Sequence, residues 1–386
     1  MSALVGLRTF EKHFESDGDR AFFARCITGC AYRTPRPGVL ARNAVISLLN
    51  STTIDVDKLD YLIRDAFVTG FRNAAIDYER LLSGISFHRF SKDDDRFELA
   101  YEKSAVSVLE NVVYARDSER KWIQNHPLIL YEGMLVSHMM ESVAERFFNS
   151  SAELFCADAL SNEGMVLNGR RVRLLSDNDI LCYAKQIEDD PCIDWYFNRG
   201  SRHKPFWKSE AEFKAVFRSR LGTQYEKLFN NFKSLEKHLL EVTGRPVINA
   251  GAVTAMKKYV AQIQEETQKA EDSVKKEFQS NLRQYQRSLK IMNMLDDFVS
   301  SLPESVRLSF TVLSAPDFNS GFAPGKLETT KIHIPQQDQL SILSDIVSLP
   351  RVDKSDGSFF YLYSDEKDKI DTAALEEMLL QYAFGL

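Results

Sequence analysis

The stretch Ile54-Asp-Val-Asp-Lys-Leu-Asp-Tyr-Leu-Ile-Arg-Asp-Ala-Phe-Val-Thr-Gly70 decides how the chain is read. At about 100° per residue, Leu59, Leu62, Ile63, Ala66 and Phe67 share one face of a helix. Asp57, Lys58, Asp60, Tyr61, Arg64 and Asp65 occupy the other face. Ser51-Thr-Thr can cap the start, Asp55 suits the positive N-terminal end, and Gly70 suits the stop. Asp57, Tyr61 and Asp65 fall on one line at i, i+4 and i+8. Carboxylates, an ammonium group and a phenol gathered there can serve a hard metal, a phosphate and a sugar, respectively. The same pattern also describes an amphipathic helix whose polar face meets water.

Working outward, the 386 residues are enough for two or three domains. Hydrophobic residues make up 44% and charged residues 27%, a balance that excludes disorder over most of the length. The formal net charge of −6 excludes a global basic field for nucleic acid, which leaves only local patches. No run approaches the roughly 18–20 apolar residues of a membrane span. The five cysteines are scattered, with no C-x-x-C pair, and read as free thiols of a cytoplasmic protein. Phosphate loops, dinucleotide-binding glycine runs, nucleophile elbows and H-E-x-x-H are all absent from the sequence.

Helical patterning dominates to about residue 195, broken by turn-rich Arg33–Gly38 and by loops near Ser91–Asp95 and Ser161–Arg171. Two short β-like pieces flank Asn168-Gly-Arg170, and residues 189–207 read as a connector. From Val253 to Val299 apolar residues recur at helical spacing (Met256, Val260, Ile263, Thr267, Ala270, Val274). The series then shifts register to Leu282, Tyr285 and Leu289. That pattern predicts a coiled coil, an extended helical arm, or two helices with an unseen break. Val306, Leu308, Phe310 and Val312 alternate with polar residues as a half-buried strand does. A Pro/Gly-rich loop (Pro316–Gly325), a strand at Lys331–Ile334, a helix at Gln339–Ser348, a strand at Phe359–Tyr363 and a helix at Thr372–Tyr382 complete a small α+β module. The predicted class is mainly α, in three parts: 1–195, 196–300 with the long arm, and 301–386.

The stretch from Ile54 through Thr69-Gly-Phe-Arg-Asn-Ala-Ala-Ile-Asp-Tyr-Glu-Arg-Leu82 resembles the last metal-binding helix of HD-domain phosphohydrolases. The nearest branch is the deoxynucleoside triphosphate triphosphohydrolases. A second stretch, Tyr114-Ala-Arg-Asp-Ser-Glu-Arg-Lys-Trp-Ile-Gln-Asn-His126, is similar to the family helix that supplies an Arg to the phosphates and ends in a His. The resemblance implies that residues 1–195 are the C-terminal part of an all-helical HD domain. It also implies that Asp57 is the final ligand of an H…HD…D site for a divalent metal (Mg, Mn or Fe), and that Lys58 touches the triphosphate. Tyr61 and Asp65 would face the deoxyribose and its 3′-hydroxyl. Arg116 and His126 match the second motif, and Arg120 and Gln124 share a helical face with Arg116. Arg120 and Gln124 stand where the best-known members carry a His and a Tyr, a departure that bears on base and sugar selectivity.

The expected activity is metal-dependent hydrolysis of a (deoxy)nucleoside triphosphate to nucleoside and triphosphate. The expected partners are a nucleotide substrate or effector and further copies of the chain. The family's first His and its His-Asp pair lie upstream of the residues matched here, and this chain has no His-Asp dipeptide. The sequence therefore predicts either an incomplete catalytic domain or a non-catalytic, nucleotide-responsive scaffold. Arg199–Arg220 adds eight basic residues, counting His203, interleaved with Phe206, Trp207, Phe213 and Phe217. That patch fits polyphosphate or single-stranded nucleic acid, or an aromatic core stripe with a basic outer face.

Overall fold

The computed structural model describes residues 12–14, 16–33, 39, 41–50, 54–71, 76–91, 94–149, 153–270, 272–302, 306, 309–315, 330–336, 339–347 and 358–385. Along the chain run α1 (Asp17–Thr28), α2 (Ala41–Leu49), α3 (Val56–Thr69), α4 (Tyr78–Ser83), β1 (Ile85–Ser91), β2 (Asp94–Glu102) and α5 (Val106–Glu119). They are followed by α6 (Pro127–Phe148), β3 (Met165–Leu167), β4 (Arg170–Val172), α7 (Asp177–Ala184), α8 (Pro191–Phe197), β5 (Lys204–Pro205), α9 (Glu210–Leu221) and α10 (Gln224–Thr243). The last are β6 (Val247–Asn249), α11 (Ala250–Lys269), α12 (Asp272–Ser300), β7 (Ser309–Ser314), β8 (Lys331–Ile334), β9 (Gln339–Ile342), α13 (Leu343–Ile346), β10 (Phe360–Ser364) and α14 (Thr372–Phe384). The chain is thus mainly α with a small β component, and no helix among the described residues is long and apolar enough to cross a membrane. Two compact units emerge, each built from two stretches of chain: residues 1–124 with 318–356, and residues 125–317 with 357–386.

Unit 1 packs α3 and α5 against the inner face of a four-stranded sheet ordered β1-β2-β8-β9. β1 and β2 form an antiparallel hairpin, and β8 joins β2 in parallel, with Tyr101 opposite Ile332. Leu59, Leu62 and Ala66 of α3 share a core with Val108, Leu109 and Val112 of α5 and with Tyr101 and Ile332 of the sheet. Phe67 departs from the expected apolar face. It is 85% exposed. The hairpin at 85–102 falls where helices were expected. Its alternating Phe97-Glu-Leu-Ala-Tyr-Glu102 is a strand pattern that flanks the loop read at Ser91–Asp95.

Unit 2 centres on a sheet ordered β5-β10-β7-β6. Trp207, Phe213, Phe217, Phe232 and Phe360 lie buried in its main core, where the Phe232 and Phe360 rings stack at 4.0 Å. The predicted half-buried strand is β7, which lies between β10 and β6 and buries Phe310, Thr311, Val312 and Leu313 in succession. A strand with neighbours on both sides and cover on both faces has no solvent side to alternate toward. A second core joins α6, α7, α8 and the β3–β4 hairpin. Its turn, Asn168-Gly169, has φ 47° and 72°, the doubly left-handed geometry that a two-residue hairpin requires.

The long helical pattern resolves into two helices. Ala270 adopts an extended conformation (ψ 143°), and the chain folds back so that Tyr259 meets Tyr285 with ring centroids 5.0 Å apart. The break at Ala270 falls inside the in-register part of the series, and the register shift between Val274 and Leu282 lies within α12. Residues 189–207, read as a connector, instead contribute Cys192, Ile193, Phe206 and Trp207 to the buried interior of unit 2. The stretch 301–386, read as one module, is shared out: β8, β9 and α13 go to unit 1, β7, β10 and α14 to unit 2. Gln339–Ile342 is a strand, and among the described residues of the expected Gln339–Ser348 only Leu343–Ile346 is helical. The Ser51-Thr-Thr cap, the Pro316–Gly325 loop and most of Arg33–Gly38 lie outside the described residues.

Candidate functional site on α3 and α5

α3 starts on Asp55, whose carboxylate accepts the Lys58 backbone N–H at 2.9 Å, so the cap is Asp55. Gly70 closes the helix in the left-handed region at φ 71°, where it donates to the carbonyls of Ala66 and Phe67. Asp55 is buried, and it also takes the Lys58 ammonium, Nζ to Oδ2 2.5 Å. Lys58 therefore bends back over the N-terminus of its own helix. Asp57 beside it is exposed.

One turn on, Tyr61 is partly buried, and burial pushes its hydroxyl pKa above the ordinary range. The Arg116 guanidinium of α5 lies close enough to oppose that rise, while the carboxylates of Glu119, Asp55 and Asp57 add to it. Asp65, which accepts from Arg64 Nε at 3.3 Å, bears in turn on Glu119. Tyr61 and Asp65 of α3 thus lie within electrostatic reach of Arg116 and Glu119 of α5, a helix that shares their core.

Glu119 was not among the sequence candidates. It is buried, and burial raises its pKa against a hydrogen bond from Gln124 and the charge of Arg116. Gln124 Nε2 donates to Glu119 Oε1 at 3.0 Å. The other carboxylate oxygen is buried with no hydrogen-bond partner among the described residues. Arg120–Gln124 form a π-helical turn directly after α5. Its wider i→i+5 spacing brings Gln124 over Glu119, a pair that α-helical spacing would separate. Arg120, only 3% exposed, donates to Asp117 Oδ1 at 3.3 Å, and Asp117 also holds Lys121 at 2.6 Å. His126 caps α6, where its Nδ1 accepts the Leu128 N–H at 3.2 Å.

Asp57 does not by itself fit a divalent ion, because such ions need several protein ligands. Two sets of three His, Cys, Asp or Glu side chains come within ligand distance among the described residues: His88 with Glu102 and His333, and His138 with Asp190 and Cys192. Asp57 belongs to neither. The aromatic residues of the basic stretch Arg199–Arg220 are all buried, so that patch offers no exposed ring for a base to stack on. Its cations are engaged in part at the surface, with Lys204 on Asp368 at 2.6 Å and Arg220 on Glu377 at 2.9 Å.

No protein-family model matches the chain. It is similar to the uncharacterized protein MG461 of Mycoplasma genitalium, at 28% identity over 68 residues. It is also similar to the uncharacterized protein MJ1154 of Methanocaldococcus jannaschii, at 26% over 98 residues. The matched stretches cover 18% and 25% of this chain and span only 15% and 21% of those relatives' lengths. Superposed on the crystal structure of a hypothetical protein from Aquifex aeolicus, the chain gives a TM-score of 0.41 at 11% identity, with 96% of this chain and 68% of that one covered.

Proposed function

We propose that the facing surfaces of α3 and α5 form the nucleotide-binding face of an HD-type phosphohydrolase that acts in the cytoplasm on (deoxy)nucleoside triphosphates. The observation that carries this reading is that α3 and α5 pack in one core with Tyr61 and Asp65 within electrostatic reach of Arg116 and Glu119. A guanidinium with a phenol and carboxylates in its neighbourhood suits a phosphate attached to a sugar. Arg116 supplies bidentate donors to phosphate oxygens, and Asp65 accepts from a sugar hydroxyl. Lys58 is a further cation at the rim and has to exchange its present carboxylate, Asp55, for phosphate, whereas Arg120 is buried against Asp117. Gln124 braces Glu119. In a hydrolytic centre Asp57 contributes one carboxylate beside ligands from elsewhere, and no chemical step is assigned to it alone.

Titration of the full chain with a panel of dNTPs, followed by product analysis with Mn²⁺ present, tests the reading. Arg116→Ala is expected to weaken triphosphate binding by roughly 10–100-fold, the loss of a charge-assisted contact. Unchanged affinity in that variant would sink the assignment. A second reading, a nucleotide-responsive scaffold that does not catalyse, is favoured by the absence of Asp57 from both ligand groups. It predicts binding that responds to Arg116→Ala with no release of triphosphate, whereas turnover lost in Asp57→Ala decides for the enzyme.

A further inference from the structure

We propose that His88, Glu102 and His333 form a binding site for a divalent transition-metal ion of the zinc type on the sheet of unit 1. Strand alternation puts the three on one face. Ser86 and His88 of β1 lie opposite Ala100 and Glu98 of β2, and Glu102 of β2 lies opposite His333 of β8. Tyr101 and Ile332 point the other way, into the core. The sheet thus draws two imidazoles and one carboxylate together from three adjacent strands.

His333 Nδ1 lies 3.2 and 3.0 Å from the two oxygens of Glu102, and His88 Nε2 lies 3.9 Å from Oε1. The two imidazole rings approach to 4.2 Å between centroids, tilted by 37°. One ligand atom from each residue lies within 4.8 Å of the others. Tetrahedral bonds of about 2.0–2.2 Å put neighbouring ligand atoms roughly 3.3–3.6 Å apart. Small side-chain rotations therefore close the site around an ion. The side chains are 27%, 32% and 16% exposed, so an ion with its remaining water can enter. Ser86 Oγ, 3.0 Å from His88 Nε2, gives up that contact when the nitrogen takes an ion.

The donor set selects the ion. Two imidazole nitrogens and one carboxylate with an open position suit Zn²⁺, Co²⁺ or a similar metal, whereas Mg²⁺ and Ca²⁺ prefer oxygen throughout. The other cluster, His138 with Asp190 and Cys192, fails on the same criteria. Asp190 Oδ2 already takes His138 at 2.8 Å, Ser142 at 3.2 Å and Arg245 at 3.2 Å. Burial pushes the Cys192 thiol up to about 11, so it stays protonated. A metal at His88, Glu102 and His333 would clip β8 to β2, two strands that lie 231 residues apart in sequence at the Glu102–His333 contact. The site is separate from the α3–α5 face and stands or falls without it.

Titration of the metal-free full chain with Co²⁺, read by its visible absorption, tests the site. The expected result is one equivalent bound in a four-coordinate spectrum and displaced by Zn²⁺. His88→Ala and His333→Ala are each expected to weaken Co²⁺ binding about 100-fold or more, and Glu102→Gln about 10-fold. His138→Ala should leave it unchanged. In the unaltered protein, Zn²⁺ should shift two imidazole spin systems together, a readout that survives misfolding of any variant. No stoichiometric uptake, no imidazole shift, loss of binding in His138→Ala, or full affinity in the double variant His88→Ala/His333→Ala would each overturn the proposal.

Discussion

His203 in unit 2 and Glu119 in unit 1 are both ionisable side chains left only 4% exposed, and the molecule treats them in opposite ways. His203 is enclosed and satisfied. Its Nδ1 lies 2.9 Å from the Thr311 hydroxyl, its Nε2 lies 3.3 Å from that of Ser309, and Trp195 covers its ring at 4.4 Å. Nearby, the Tyr361 and Tyr363 hydroxyls end on the carbonyls of Asn125 and Pro127. Glu119, by contrast, has one oxygen bonded to Gln124 and the other buried without a hydrogen-bond partner among the described residues, with the charges of Asp65 and Arg116 acting on it. A buried polar group closed on itself fixes a fold, whereas one left half-satisfied beside like and unlike charges costs stability and marks a surface shaped for a ligand.

The sharpest way to break this contrast is to open the core of unit 2. Trp207 is fully buried among Phe213, Phe217 and Phe360, and its indole N–H donates to the Phe360 carbonyl at 2.6 Å. Trp207→Ala leaves a cavity and an orphaned carbonyl, and should cost about 3–5 kcal/mol. Hydrogen exchange measured on peptides spanning α9, α10 and β10 should show a loss of protection of two orders of magnitude or more. A loss below tenfold would mean that this aromatic cluster does not organise unit 2.

His203 offers a gentler test of the same core. Burial lowers its pKa from 6.5 to about 4, so the folded state keeps the ring neutral where the unfolded chain would charge it. The stabilisation is present above pH 6.5 and is lost as pH falls through about 4. Over that window the penalty reaches up to about 3 kcal/mol. Urea midpoints followed by tryptophan fluorescence should fall between pH 6.5 and 4. His203→Gln, which keeps a donor and an acceptor near Thr311 without a titration, should flatten that slope. An unchanged slope would assign the acid sensitivity to other groups.

What the sequence made legible divides along the same line. α3 could be read because its period, its Asp55 start and its Gly70 stop are all local, and the lines joining Asp57, Tyr61 and Asp65 follow from helical spacing alone. Glu119, three residues after Arg116 on α5, follows the same helical spacing and was passed over, whereas the π-helical turn that brings Gln124 onto it has no local signature. The β1–β2 hairpin was hidden by charged residues that read as a loop between helices. The division into units could not be read at all, because β8 reaches its place beside β2 through a pairing with no local signature. The same distance hides His88, Glu102 and His333, each of which looks like a lone residue until the sheet assembles.

The smallest effect is the most discriminating. Because burial raises the Glu119 pKa, the folded state binds its proton more tightly than the unfolded chain does. The favourable contribution is therefore present below the unfolded pKa and is lost as pH rises through the folded one, so at neutral pH the ionised carboxylate is a cost. Glu119→Gln removes the charge while its carbonyl oxygen can still accept from Gln124. At pH 7 it should raise stability by about 0.5–1 kcal/mol, and at pH 4 the gain should shrink toward zero. Nucleotide affinity should change in the same variant, because Glu119 lies within electrostatic reach of Arg116. Thermal midpoints at the two pH values, paired with a binding titration, check both halves. If Glu119→Gln instead destabilised the protein at pH 7 and left binding untouched, the carboxylate would be a structural brace, and the contrast with His203 would collapse.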